Sequence, residues 1–416
     1  MTNTRFLFES TQEASRSLSI SSDSARQQLL LHLADLLTTA IPRILEANEK
    51  DLSKMDPQDS KFDRLVLNHD RLAQQIDAIR SIASLPDPLG QVILERQHAN
   101  GLHIQKVTVP LGVIGVIYES RPNVTLDVAS LCLRSGNACI LKGGKEAWES
   151  NQAMVTVLKQ ALVDFQMPTA CVTLLPPDRS VVDDLLKATE FVDLIIPRGS
   201  HGLIQHVRQN TLIPTIETGA GVCHTFVEAK ADVNMAVQII VNARVSRPSV
   251  CNSLDTILVD GTVWPDLAPI LLPELEKHQV RLKADALSFP LIQTLGYPDI
   301  ALAQASDFGM EWLSLTLSIR IVSGLEQALQ HIREHSSKHS EAIITQDPEI
   351  AEQFLQQVDA AAVYHNASTR FTDGGEMGLG AEIGISTQKL HARGPFALEK
   401  LVTEKWIGRG TGQVRW

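Results

Sequence analysis

Long apolar runs are missing from this 416-residue chain. The longest, around Val109 to Tyr118, is broken by Pro110, Gly112 and Gly115, whereas a membrane span needs roughly 18 to 20 residues. No membrane crossing is expected. Basic charge is also scarce, with 37 Lys plus Arg against 48 Asp plus Glu and a net charge of −11. Phosphate backbones are bound by a clustered basic face, so nucleic acid is excluded as the main partner and a small molecule is expected. The five cysteines, Cys132, Cys139, Cys171, Cys223 and Cys251, are scattered, odd in number and without a CxxC pair. That pattern excludes a disulfide framework and a zinc site and fits reduced thiols. The first 20 residues carry Arg5, Glu9, Glu13 and Arg16 and no apolar stretch of signal-peptide type, so a cytoplasmic location is expected.

What is present is ordinary globular composition, 44% hydrophobic and 20% charged. At roughly 100 to 200 residues per domain, two or three domains are expected. Near the N-terminus, Leu29, Leu33, Leu36, Leu37, Ala40 and Ile44 keep a helical spacing behind a cap at Ser22 or Ser24, and Leu72, Ile76, Ile79 and Ile82 repeat it. ILERQ and LHIQKVTV, joined through Asn100 and Gly101, predict a hairpin over about 91–110. LGVIGVIY, NACILKG, CVTLL, FVDLIIP and TIETG then alternate with stretches of helical length, the pattern of buried parallel strands with crossover helices. This predicts a doubly wound sheet over about 110–245, with ligands beyond the carboxyl ends of its strands. DTILV, LSIRIVS, EAIIT and AAVYHN predict a second α/β lobe, and the tail EKWIGRGTGQVRW reads as an extended segment suited to pairing with another subunit's hairpin.

Cysteine context separates one thiol from four. Cys132, Cys139, Cys171 and Cys223 each sit among apolar residues of an expected helix or strand and read as core. Cys251, in ARVSRPSVCNSL, follows Pro248 and Ser249 at the junction of the lobes, with Arg244 and Arg247 near in sequence; a thiol there can be exposed and held as thiolate. Asn123, at the strand end YESRPNVT, is either a helix cap or an amide donor to an oxyanion. Lys142 and Lys145 flank Gly143 and Gly144 in a strand-to-helix turn, and Arg198, Gly199 and Ser200 form a second such turn; neither matches GxGxxG. His331, His335 and His339 would share one face of a continuous helix, but Ser336 and Ser337 weaken it and no further ligands complete a shell. They are expected to form a solvated face, with no metal.

VPLGVIGVIYESRPNVT, NACILKGGKEAWESN, PRGSHGLI, NARVSRPSVCNS, NASTRFTDGG and GLGAEIGISTQKLHARGP occur in this order along almost the whole chain. Together they closely resemble the gamma-glutamyl phosphate reductases, or glutamate-5-semialdehyde dehydrogenases, a family of the aldehyde dehydrogenase superfamily. The resemblance implies an α/β fold of two doubly wound lobes, cofactor and catalytic, plus a small β hairpin that oligomerises with the C-terminal tail. Its expected parts are 1–245, NADP-binding with the hairpin 91–110 inserted; 246–390, catalytic; and 391–416, a return segment and oligomerisation strand. It implies NADPH-dependent reduction of L-glutamate 5-phosphate to the semialdehyde and phosphate, the second step of proline biosynthesis from glutamate. A homo-oligomer and a transient contact with glutamate 5-kinase are also implied.

By position, the resemblance makes Cys251 the catalytic thiol, Asn123 the oxyanion amide and Lys142 the ribose lysine. Gly143, Gly144, Lys145, Arg198, Gly199 and Ser200 fall in the cofactor stretch, and Glu311 lies near the carboxylate for the nicotinamide ribose. Where NAD-selective relatives often carry an acid after the ribose lysine, Lys145 favours the extra phosphate of NADP, tempered by Glu146. Glu217, in IETGAG, sits where oxidising relatives have their water-activating glutamate, but its surroundings differ and it is left out of the catalytic set. Arg370, with Asn366 and Ser368, is the candidate for the substrate carboxylate, and Arg247 or Arg244 for thiol activation or the phosphate. Two other readings share these residues: a coenzyme A-acylating aldehyde dehydrogenase, and a nucleotide-binding protein without thiol chemistry.

Overall fold

The computed structural model describes residues 4–415 except 58, 60 and 61. The chain divides into two compact units, one of Met1–Thr218 with Gly378–Gly384 and Phe396–Trp416, the other of Gly219–Met377 with Ile385–Pro395. The long stretch of the first unit therefore runs to Thr218, where the sequence suggested about 245, and two later segments return to it.

The first unit opens with helices Thr4–Ser19, Asp23–Leu52 and His69–Ser84. Ser22 caps the second by accepting the Ala25 N–H at 3.2 Å. Leu29, Leu33 and Leu37 of the second and Leu72, Ile76, Ile79 and Ile82 of the third are buried, as their spacing demands, each contributing about 1.5–3 kcal/mol. The hairpin is present: β1 (Val92–Gln97) pairs antiparallel with β2 (His103–Pro110), and Gly101 takes φ +87° in the turn. A four-stranded parallel sheet follows, β3 (Val113–Tyr118), β4 (Ala138–Lys142), β5 (Val172–Leu174) and β6 (Leu194–Arg198), in the order β5-β4-β3-β6. Every residue of β3 and β4 is buried, which is why both read as unbroken apolar runs. TIETG is not a strand. Only Thr215 bridges to Ile195, because the next rung toward Gly219 would need an N–H from Pro197 of β6, which has none.

The second unit holds seven parallel strands, β7 (Cys223–Val227), β8 (Leu254–Asp260), β9 (Arg281–Ala284), β10 (Ile300–Leu302), β11 (Thr316–Val322), β12 (Ser340–Ile344) and β13 (Ala362–His365), ordered β10-β9-β11-β8-β7-β12-β13. β7 pairs with β8 and β12, which draws it and the helix Val233–Val245 into this unit. Helices Val233–Val245 and Trp264–Lys277 pack through Val237, Ile240, Leu267 and Leu271 into one core; Leu325–His335 and Pro348–Gln357 pack through Leu329, Ile332 and Phe354 into another. β14 (Gly384–Ser386) and β15 (Gly394–Phe396) form a two-stranded ribbon. Finally β16 (Val402–Arg409) pairs antiparallel with β2 of its own chain, so the tail completes a three-stranded sheet at home. Among the described residues no helix is long and apolar enough to cross a membrane.

Candidate active site

In the first unit the candidates gather at the carboxyl ends of β3, β4 and β6. After β3 the chain turns through Ser120, whose φ of +39° is unusual for a non-glycine residue. Glu146 holds that turn: its Oε1 accepts the Ser120 N–H at 2.7 Å and the Ser120 hydroxyl at 2.6 Å. Asn123 begins the helix Asn123–Arg134 but is not its cap, a place taken by Pro122. Its Nδ2 instead donates to Asp127 Oδ2 at 3.1 Å.

Lys142 ends β4 almost wholly buried, with Nζ donating to the carbonyls of Gly143 at 3.0 Å and Pro177 at 3.4 Å. Burial holds its pKa below the usual lysine range, against the pull of Glu146 and Asp178. A Cβ on Gly143 would lie 2.3 Å from Asn151 Nδ2, a buried amide nitrogen without a hydrogen-bond partner. Arg198 ends β6, and Ser200 both donates its N–H to Glu119 at 2.9 Å and caps the helix His201–Asn210. Two of these groups fit NADP(H): the Lys142 ammonium suits ribose hydroxyls and exposed Lys145 suits a further phosphate, while Gly143 and Gly199 are required by the packing of Asn151, Glu119 and Leu203 against them. Glu146, the acid that tempered the role of Lys145, is turned onto Ser120.

In the second unit Cys251 is partly exposed while the other four thiols are buried, as the sequence suggested. Its peptide is tightly held. The Cys223 thiol donates to the Cys251 carbonyl at 3.2 Å, and the Gly221 N–H donates to Glu311 Oε1 at 3.0 Å. Glu311 thus braces the segment beside Cys251.

Arg244 does not serve the thiol. It is fully buried, bonded to Asp255 at 2.9 Å and to the carbonyls of Leu254, Pro248 and Ser314. Its sequence neighbourhood to Cys251 misled because the helix Val233–Val245 turns it into the core. Arg244→Met should cost about 3–5 kcal/mol in urea unfolding, since it strands the buried Asp255 carboxyl.

Arg370 interacts electrostatically with Cys251 and with the buried Cys223. Its Nε donates to Ser246 at 3.2 Å and its Nη1 to Asn252 Oδ1. Burial first, then the like charge of Arg247, hold its pKa below the usual range, while Asp373 and Cys251 act the other way. Arg247 itself is exposed. Asn252, unnoticed in the sequence although it adjoins Cys251, ties the two segments together: its side-chain amide donates to Thr372 O at 2.9 Å and its backbone carbonyl accepts the Thr369 hydroxyl at 2.8 Å. Two expected substrate contacts are engaged elsewhere. The Asn366 amide bonds the backbone N–H and C=O of Thr345 at 3.0 and 2.9 Å, a structural role, and Ser368 Oγ accepts the Arg370 N–H at 3.3 Å, shaping the turn. Glu217 lies 3.7 Å from Arg208.

The histidines do not form a solvated face. The helix stops at His335, and His331 and His339 are buried. His331 Nδ1 meets Arg320 at 2.7 Å, and burial pushes its pKa down to about 2, so it stays neutral. No His, Cys, Asp or Glu cluster suited to a metal occurs among the described residues.

A model of the aldehyde dehydrogenase family matches residues 3–293, and the chain belongs to that family. Within it the sequence likeness is strong to gamma-glutamyl phosphate reductases. A gamma-glutamyl phosphate reductase of Chlorobium limicola is 50% identical over 413 residues, covering 99% of this chain and 98% of that protein. The crystal structure of gamma-glutamyl phosphate reductase from Thermotoga maritima superposes with a TM-score of 0.94 at 39% identity, over 99% of this chain and all of that one. An acetylating aldehyde dehydrogenase from Geobacillus thermoglucosidasius, with TM-score 0.71 and 16% identity over 99% of this chain and 97% of that one, shares the fold alone.

Proposed function

We propose that this chain reduces L-glutamate 5-phosphate to L-glutamate 5-semialdehyde with release of phosphate, using NADPH, the second step of proline biosynthesis from glutamate. The observation that carries the reading is the half-identity over the full length to gamma-glutamyl phosphate reductases. The Cys251 thiolate attacks the acyl carbon, forming a C–S bond, and the carbonyl oxygen becomes an oxyanion held by the Asn123 amide and the Cys251 N–H. Phosphate departs with the electrons of the C–O bond, leaving a thioester on Cys251. When bound, NADPH supplies the hydride that reduces this thioester. Release of the aldehyde returns the thiol. Glu217 is left out of the catalytic set, since a reductase must keep water off its thioester.

Arg247 and Arg370 form a cationic pair suited to the anionic ends of this substrate. Charge-assisted bonds to a carboxylate contribute about 1.5–3 kcal/mol, so Arg370→Ala should raise the KM for the amino-acid substrate about 10- to 100-fold. A simple aliphatic aldehyde, lacking the carboxylate, should show no such change. Lys145→Ala should raise the KM for NADPH about tenfold, or 1.4 kcal/mol, and leave that for NADH nearly unaltered.

The deciding assay runs backwards, following NADP reduction with pyrroline-5-carboxylate in phosphate, coenzyme A or plain buffer. Strict dependence on phosphate supports the reductase; turnover with coenzyme A alone would move the chain to the acylating class, and none at all to a binding role. A homo-oligomer formed through the sheet of β1, β2 and β16, where Val92, Ile93 and Trp406 are exposed, belongs to the same proposal, as does a contact with glutamate 5-kinase that shields the labile acyl phosphate. Sedimentation of the chain alone and with that kinase tests both.

A further inference from the structure

We infer that Asp127 is a positioning residue that fixes which end of the Asn123 amide is presented to the reacting carbonyl, an inference that rests on the oxyanion role proposed for Asn123. The two ends of a primary amide have nearly the same shape. Only the nitrogen end can donate to an oxyanion; a flipped amide would set its oxygen against the developing negative charge. Something must choose between them.

Asn123 and Asp127 stand one turn apart on the helix Asn123–Arg134, and their side chains therefore meet. The 3.1 Å bond from Asn123 Nδ2 to Asp127 Oδ2 uses one amide hydrogen and leaves the second for the substrate. An ionised carboxylate only accepts, so it rejects the amide oxygen and holds the nitrogen in place. The backbone is anchored separately, since Gln75 Nε2 donates to the Asn123 carbonyl at 2.9 Å.

The groups acting on the Asp127 carboxyl are Asn123 on its own helix, Gln75 from His69–Ser84 and Arg198 from the end of β6. Burial pushes its pKa up to about 6, against all three. Below that pH the carboxyl gains an O–H that can bond the amide oxygen, and the preference for the nitrogen end is lost. Above it the carboxylate enforces the productive orientation.

The test is kcat against pH from 5 to 9 in the phosphate-dependent reverse reaction, for native protein, Asp127→Asn, Asn123→Ala and the double variant, with thermal unfolding of each. Native kcat should fall as pH drops through about 6, and Asp127→Asn should lower kcat about tenfold at neutral pH, leave KM unchanged and lack this fall. In the Asn123→Ala background Asp127→Asn should cost nothing more, and Asn123→Ala alone should lack the acid limb, a result that stands even if the Asp127 variant unfolds. Equal losses in both backgrounds, or an acid limb that survives in Asn123→Ala, would overturn the inference alone. An unaltered kcat in Asn123→Ala would overturn the oxyanion role beneath it.

Discussion

Cys251→Ala will lower phosphate-dependent NADP reduction by about four orders of magnitude or more, because the nucleophile has no substitute. Cys132, Cys139, Cys171 and Cys223 are buried, and burial raises the Cys171 thiol to about 12. The Cys139 and Cys223 thiols are also pushed well up, the first chiefly by a bond with Cys132 and the second by burial. These three thiols supply no thiolate at neutral pH. The substitution removes one sulfur from a partly exposed turn, so unfolding should shift by only about 0.5 kcal/mol. Iodoacetamide followed by mass spectrometry should label Cys251 first and abolish turnover in step. Activity persisting in the variant would place the nucleophile elsewhere.

Gly221→Ala will lower kcat at least about a hundredfold, although it adds a single methyl group outside the reacting set. A Cβ there would lie 1.7 Å from the Cys251 carbonyl oxygen, 2.4 Å from its carbon and 2.7 Å from its Cα. These are backbone atoms, so no flexible side chain can swing aside. The two ends of the contact are also fixed, Gly221 by Glu311 and the Cys251 carbonyl by the Cys223 thiol. The nucleophile must move, and a displacement of about 1 Å is enough to cost that factor. Gly219→Ala is the control: its Cβ would meet only the Thr387 side chain, at 3.3 Å, and activity should stay within about threefold of native. Comparable activity in both variants would show that the close approach at Gly221 does not govern the thiol.

The long buried strands were legible because parallel strands covered on both faces must be continuous apolar runs, as VIGVIY and LDTILVD are. β9 and β10 were not, since RLKA and IAL are too short and mixed to stand out. TIETG imitated a strand through its β-branched residues, but Pro197 in β6 has no N–H for the next rung. Among the histidines the spacing was visible and the burial was not; it comes from Arg320, His224 and Phe308, remote in sequence.

At the site, Pro248 and Ser249 marked Cys251 as standing outside regular structure. The bracing set was invisible, because Gly221, Cys223, Asn252 and Glu146 matter through contacts made across distant segments. Asp127 alone left a local signal, four residues beyond Asn123 on one helix face. Arg244 shows the converse, where nearness in sequence suggested a partnership that folding does not make.

β16 lies beside β2, and the Asn137 amide bonds the Leu401 carbonyl at 2.8 Å. The first unit is therefore finished by residues made after the main stretch of the second, Gly219–Met377. During synthesis the second unit, nearly complete by Met377, can settle on the ribosome while β2 still waits with an open edge. A nascent chain stalled there presents an open edge of β2 as a template for intermolecular strand pairing until β16 emerges to cover it.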